Sequence, residues 1–216
     1  MSTELLTETR TIGREGATRV RATIVLGAGE LRIAGGGTGA LHGEFATNVP
    51  AWRPEITYTV AGEVGHLTIR QPEGEPKPKP RHARQRWTLA FPDAVPLDLQ
   101  IKVGAVTGTL VLGALALESL AIETGAGTLS LDLAAARAVL EATVRGGVID
   151  AEIRLPADYG ARVAVDAPIA TVRAAGLRQI GNAYTNARFA AAEPAVRVRI
   201  AGGVVTLDLH AGENGR

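Results

Sequence analysis

The stretch Ile122-Glu-Thr-Gly125-Ala-Gly127-Thr-Leu129-Ser-Leu131-Asp-Leu133 decides the fold. Apolar residues alternate on both sides of a Gly-x-Gly step, which reads as two short strands meeting at a corner. Counting back 21 residues places Ile101, Gly104, Leu110 and Leu112 at the stations of Ile122, Gly125, Leu131 and Leu133. Counting forward 22 places Val144, Gly147, Ile153 and Leu155 there. A further 21 leads from Val144 to Val165 and from Ala151 to Val172, with Pro168 where the glycine stood. Outside this run, Ile24 to Ile33 matches 122–131 at a constant offset of 98. Val60 to Ile69 reads as a looser copy, and Ile200 to Leu209 closes the series.

One such unit cannot cover its own apolar face. Stacking units buries the inward Val, Ile and Leu as continuous columns. The expected fold is therefore all-β, a stacked β-repeat of β-solenoid type with a period of about 21 residues and Gly-rich corners. The corners fall at Gly27, Gly29, Gly104, Gly125, Gly127, Gly147 and Gly203, where positive φ or a tight backbone is needed. The competing architecture is an antiparallel sandwich with evenly spaced hairpins. Trp52 and Trp87 are expected in the core or a cap, and the Ala-rich segment 134–139 is expected as a corner with at most one short turn.

Gln71 to Pro80 alternates proline with charge, the pattern of an extended, solvated connection. It divides the chain into an N-terminal β module (1–71), a Pro/Lys/Arg-rich linker or loop (72–86) and the β-repeat domain (87–216).

The order Leu26-Gly-Ala-Gly-Glu-Leu-Arg-Ile33, Pro54-Glu-Ile-Thr-Tyr58 and Gly65-His-Leu-Thr-Ile-Arg-Gln71 resembles the N-terminal module of the toast-rack family. Trp87-Thr-Leu-Ala-Phe-Pro92, Val95-Pro-Leu-Asp-Leu99, Gly125-Ala-Gly127 and Leu155-Pro156 resemble the toast-rack domain itself, related to the C-terminal domain of LiaF-type cell-wall-active-antibiotic response proteins. The resemblance runs from about residue 18 to 209 and implies a stacked β-repeat without a catalytic constellation. In LiaF-type proteins that domain follows membrane-spanning segments and takes part in envelope-stress signalling. The matching motif consists of glycines and core positions, so it carries over no functional residue.

Chemistry is sparse in the sequence. With no cysteine, disulfides, thiol nucleophiles and Cys-based metal sites are excluded. Met1 to Glu8 carries acids where a secretory leader needs positive charge, so a cytoplasmic location is expected. The Gly27 and Gly125 steps lack the third glycine of a dinucleotide fingerprint and precede strands. Gly35-Gly36-Gly37-Thr38-Gly39 is followed by no Gly-Lys-Ser/Thr and reads as a loop. His42, His66, His82 and His210 stand singly, and Asp98, Asp132 and Asp208 sit between apolar neighbours as outward, solvated acids. No catalytic, cofactor or metal site is assigned, and the chain is read as a non-enzyme.

One cluster stands apart. From Arg70 to Arg86 the bases Arg70, Lys77, Lys79, Arg81, Arg84 and Arg86 face only Glu73 and Glu75, in a chain whose net charge is +1. Lys77, Lys79, Arg81, Arg84 and Arg86 are the candidate contacts to an anionic surface. The absence of interleaved aromatics argues against single-stranded nucleic acid. The expected function is a structural or protein-interaction module, binding a protein partner or itself, because the last repeat ends at Leu209 with only a short polar tail as cap. The alternatives are an accessory regulator of envelope-stress signalling with a membrane-protein partner, a carbohydrate-binding or glycan-active solenoid, and an anionic-surface binder through the 77–86 loop.

Overall fold

The computed structural model describes residues 5–74, 82–190 and 193–211. The strands are β1 (Leu6–Ile12), β2 (Arg19–Ala34), β3 (Leu41–Thr47), β4 (Glu55–Ala61), β5 (Val64–Arg70), β6 (Gln85–Ala90) and β7 (Leu97–Val111). They continue as β8 (Leu117–Asp132), β9 (Leu140–Leu155), β10 (Ala161–Asp166), β11 (Ile169–Ala175), β12 (Arg178–Ile180), β13 (Ala183–Thr185) and β14 (Val196–Ala211). Among the described residues there is one 3-10 turn, Pro50–Trp52, and no helix long and apolar enough to cross a membrane.

β2, β7, β8, β9 and β14 are 15 or 16 residues long, and each folds into two arms at its glycine. Inward positions alternate along the first arm, two consecutive residues at the corner face solvent, and alternation resumes in the opposite phase. That phase change lets both arms of one rung turn their apolar residues toward a shared interior. The rungs stack in parallel register, Ile24–Ile101–Ile122–Val144–Ile200–Val165 in the first arm and Ile33–Leu110–Leu131–Ile153–Leu209–Ala174 in the second. The offsets of 21 and 22 counted on the sequence are the offsets of this ladder between β7, β8 and β9. Each fully buried Leu, Ile or Val in these columns stabilises the fold by about 1.5–3 kcal/mol relative to exposure.

At the corner the backbones close in. A Cβ on Gly104 would lie 2.4 Å from the Gly27 carbonyl oxygen, and one on Gly125 would lie 2.7 Å from that of Gly104. Gly147 and Gly203 continue the column, and the paired register passes over every one of these glycines. Among the corner glycines only Gly29 has positive φ (153°), so close approach rather than left-handed backbone is what the column demands.

Both ends depart from simple stacking. β14 is last in the chain but lies between β9 and the pair β10 and β11, so Leu209 is fully buried and the end of the sequence is not the end of the stack. The expectation of an uncapped final repeat at Leu209 is corrected accordingly: the terminal rung is β10–β11, interrupted at Pro168, which cannot supply a ladder N–H. Val60 to Ile69 is not a rung either. It spans the antiparallel β4–β5 hairpin, whose two-residue turn holds Gly62 at φ 61°. The strand–glycine–strand pattern is common to a corner and a hairpin.

Antiparallel strands close the stack. β3 and β1 follow β6 at one end, β4 follows β5, and β13 and β12 follow β10 at the other. β2 pairs along both arms with β7, and one core cluster extends from Val20 to Leu209, so the segments on either side of 72–86 share a sheet and an interior. Trp87 is fully buried edge-to-face against Phe45, with ring centroids 5.6 Å apart. Trp52 is half-buried in the 3-10 turn, and 134–139 forms a turn without a helix. Asn186 is buried as a clamp: its amide donates to the Pro156 and Tyr159 carbonyls (2.8 Å each), and its side-chain oxygen accepts from the Ala161 N–H (3.0 Å). Asn186→Ala leaves those groups unpaired, and a loss of about 2–4 kcal/mol is expected in chemical denaturation.

Candidate interaction surface

Of the five basic candidates, Lys77, Lys79 and Arg81 lie outside the described residues. Arg84 is exposed at the foot of that loop, where its backbone N–H donates to Asn48 Oδ1 (2.7 Å). Arg86 is held by Glu30 (Nε to Oε2, 2.6 Å), and Arg70 by Glu55 (2.8 Å). Two cations of the 70–86 run therefore spend their charge on carboxylates of β2 and β4.

The Arg86 hydrogen bond lowers the Glu30 pKa, burial opposes it, and the charges of Arg86, Arg32 and Arg84 assist. A depressed carboxylate stabilises the fold above its unfolded pKa and loses that contribution as pH falls through the folded value. The pair is well solvated and screened, so its contribution to stability is small. Glu30→Gln is expected to flatten slightly the fall in urea midpoint between pH 5 and 3, and an unchanged slope would show that the pair contributes nothing.

The other chemical candidates do not converge. Asp98 lies outward on a first arm, bonded to the Ser119 hydroxyl (2.6 Å) and paired with Arg21 (3.6 Å), while Asp208 lies on a second arm beside His210 (3.2 Å). Asp132 accepts from the Ala134 N–H (2.9 Å). In the Gly35–Gly39 run the Gly36 N–H is taken by the Asp93 carboxylate (2.8 Å) and the Gly37 N–H by the Phe91 carbonyl (2.9 Å). A carboxylate thus occupies the position an anion would need. Among the described residues no group of three His, Asp or Glu side chains comes together as a metal site.

What the sequence reading missed lies one residue beyond Gly27, Gly104, Gly125, Gly147 and Gly203, and beyond Pro168 at the same station. Ala28, Ala105, Ala126, Val148, Val204 and Ile169 are register neighbours on six successive levels, and all six are exposed. Val148 is 51% and Ile169 61% accessible. Beside them runs the exposed glycine column Gly27, Gly104, Gly125, Gly147 and Gly203. Five inter-strand spacings of about 4.8 Å make an apolar ridge about 24 Å long. Scattered single apolar residues are ordinary on a surface, whereas these six form a contiguous row.

Open grooves of about 770 and 680 Å³ flank the ridge. The first, on the first-arm side, is lined by Lys102, Glu123 and Arg145 and walled by Gln71 to Gly74; the Gln71 side chain accepts the Gly27 N–H (3.0 Å). The second, on the second-arm side, is lined by Thr107, Thr128 and Asp150 and walled by Ala83 to Arg86. Among the described residues neither groove is lined by an aromatic side chain.

A solved structure shares the architecture. A candidate cell-adhesion protein from Clostridium sporogenes superposes with a TM-score of 0.90 at 23% identity, over 97% of this chain and 100% of that one. A candidate adhesin from Bacteroides fragilis aligns with a TM-score of 0.30 at 14% identity, over 97% and 98% of the respective chains. The first likeness concerns the fold, and the second is too distant to add to it. No curated protein matches the sequence. Residues 1–154, rungs β2, β7 and β8 and most of β9 included, match the family described as the N-terminal domain of toast_rack, DUF2154, and the chain belongs to that toast-rack family.

Proposed function

We propose that this toast-rack chain is a non-enzymatic protein-interaction module whose corner ridge is the contact surface. The observation that carries the reading is the unbroken row of exposed apolar residues from Ala28 to Ile169. An inward side chain would be fixed by core packing, but these point outward, where charged or polar residues would serve solubility better. The rigid stack holds them at strand spacing, so little ordering cost falls on association. A glycan-active site is disfavoured by grooves without stacking aromatics among the described residues. The Arg86–Glu30 and Arg70–Glu55 pairs likewise weaken the case for an anionic-surface binder.

The test compares wild type with Val148→Asp/Val204→Asp in binding to immobilised wild-type chain and to proteins from the source cell. Both positions are exposed, so the melting temperature should move by only a few degrees. Specific partners, self included, are expected to lose at least tenfold in affinity. Partners held equally by both versions would place the contact elsewhere.

A further inference from the structure

The ridge is graded in size, and the gradient points to its occupant. Along the stack the side chains run Ala28, Ala105, Ala126, Val148, Val204, Ile169. The described parts of both groove walls, Gln71 to Gly74 and Ala83 to Arg86, stand beside the small end. The other end carries an isoleucine that is 61% accessible. A row that is small at one end and large at the other fits a copy of itself turned end for end.

We propose that two copies of the chain pack ridge to ridge about a two-fold axis perpendicular to the ridge and lying in the interface, with the ridges antiparallel; this rests on the ridge being the interaction surface. Ile169 then packs over Ala28 of the partner subunit, Val204 meets the partner's Ala105, and Val148 meets the partner's Ala126. Each level sets a larger residue against a smaller one, which is how facing layers fill space. The contact is isologous and closed, so it ends at the dimer.

Charge agrees with size. This axis brings like arms together, so the first-arm flank, Val25–Lys102–Glu123–Arg145–Ala201–Asp166 in register, faces its own reverse. Glu123 opposes the partner's Arg145 and Arg145 the partner's Glu123, two complementary pairs beside the axis. On the second-arm flank Thr128 opposes the partner's Asp150 and Thr107 the partner's Thr206. In these two rows beside the ridge no like charges are set opposite each other. The other two-fold, with ridges parallel, would stack Ile169 on Ile169 and leave a void between two alanines at the far end.

The chain has no native cysteine, which makes introduced ones clean reporters. Ala28 and Ile169 of one chain are about 24 Å apart, five strand spacings, far beyond the ~3.8 Å between Cβ atoms in a disulfide. Ala28→Cys and Ile169→Cys are oxidised alone and mixed. The expected result is a covalent heterodimer in the mixture and none from either variant alone. Self-crosslinking of Ile169→Cys would overturn the antiparallel arrangement in favour of a parallel or end-to-end contact, and so would no crosslink at concentrations where the wild type dimerises.

Charge reversal gives a second readout. Glu123→Arg and Arg145→Glu each place like charges opposite across the axis and are expected to weaken the dimer about tenfold, while the double variant recovers most of it. No recovery in the double variant, with folding intact by melting temperature, would contradict the pairing. If the ridge aspartates abolish binding to another protein while the wild type stays monomeric, the second-copy inference fails and the interaction-module reading stands. If those aspartates change no binding at all, the reading itself fails.

Discussion

Gly104→Ala is expected to destabilise the fold by about 3 kcal/mol or more, lowering the melting temperature by about 6–12 °C in a chain of this size. The added Cβ would sit 2.4 Å from the Gly27 carbonyl oxygen. That oxygen belongs to the neighbouring rung's backbone, so no side-chain rotation relieves the contact, and the β2 and β7 corners must separate. Gly104 is exposed, so a substitution matrix guided by burial would call the change harmless. Gly13→Ala is the control: its Cβ meets nothing within 4 Å, and its φ is not positive. There alanine should be neutral or stabilising by about 0.4–1 kcal/mol through the unfolded state. Thermal denaturation of the two variants separates the corner column from a general intolerance of glycine loss.

Trp87→Ala is expected to cost about 3–5 kcal/mol. Trp87 is the largest fully buried side chain, 1% exposed, on β6 between β2 and β3. Its ring meets Phe45 at an interplanar angle of 81°, the edge-to-face geometry that adds about 0.5–1.5 kcal/mol to area burial. Removing it opens a cavity where the antiparallel end strands join the stack. Trp87→Phe, which keeps an aromatic face toward Phe45, should recover more than half of the loss. Equal losses for both variants in urea denaturation would contradict this, because phenylalanine restores most of the volume and the aromatic face alike.

The stack was legible because a rung must change phase at its corner. The glycine and the flanking alternation repeat at offsets that are also the ladder register, from Ile101 to Ile122 to Val144. The order of the rungs was not legible. β14 pairs with β9 at an offset of 56 residues, Val144 to Ile200, and nothing local tells a strand to insert between two others instead of adding at the end. The β4–β5 hairpin deceived because alternation around glycine is common to both structures.

The candidate surface was half visible. A count of charges from Arg70 to Arg86 cannot see that Arg86 finds Glu30, 56 residues earlier. The ridge escaped because an alanine after a glycine carries no signal by itself. Aligned on the corner glycines, the next residues are Ala28, Ala105, Ala126, Val148 and Val204, each small or branched and apolar where a solvated turn would take a polar residue.

Sedimentation equilibrium of the wild type and of Val148→Asp over a hundredfold range of concentration tests the central claim most directly. The account predicts a monomer–dimer equilibrium for the wild type that saturates at the dimer, and a variant at least tenfold weaker with an unchanged melting temperature. A wild type that stays monomeric throughout would contradict the ridge-to-ridge dimer, and a variant that dimerises as well as the wild type would contradict the ridge as its contact surface.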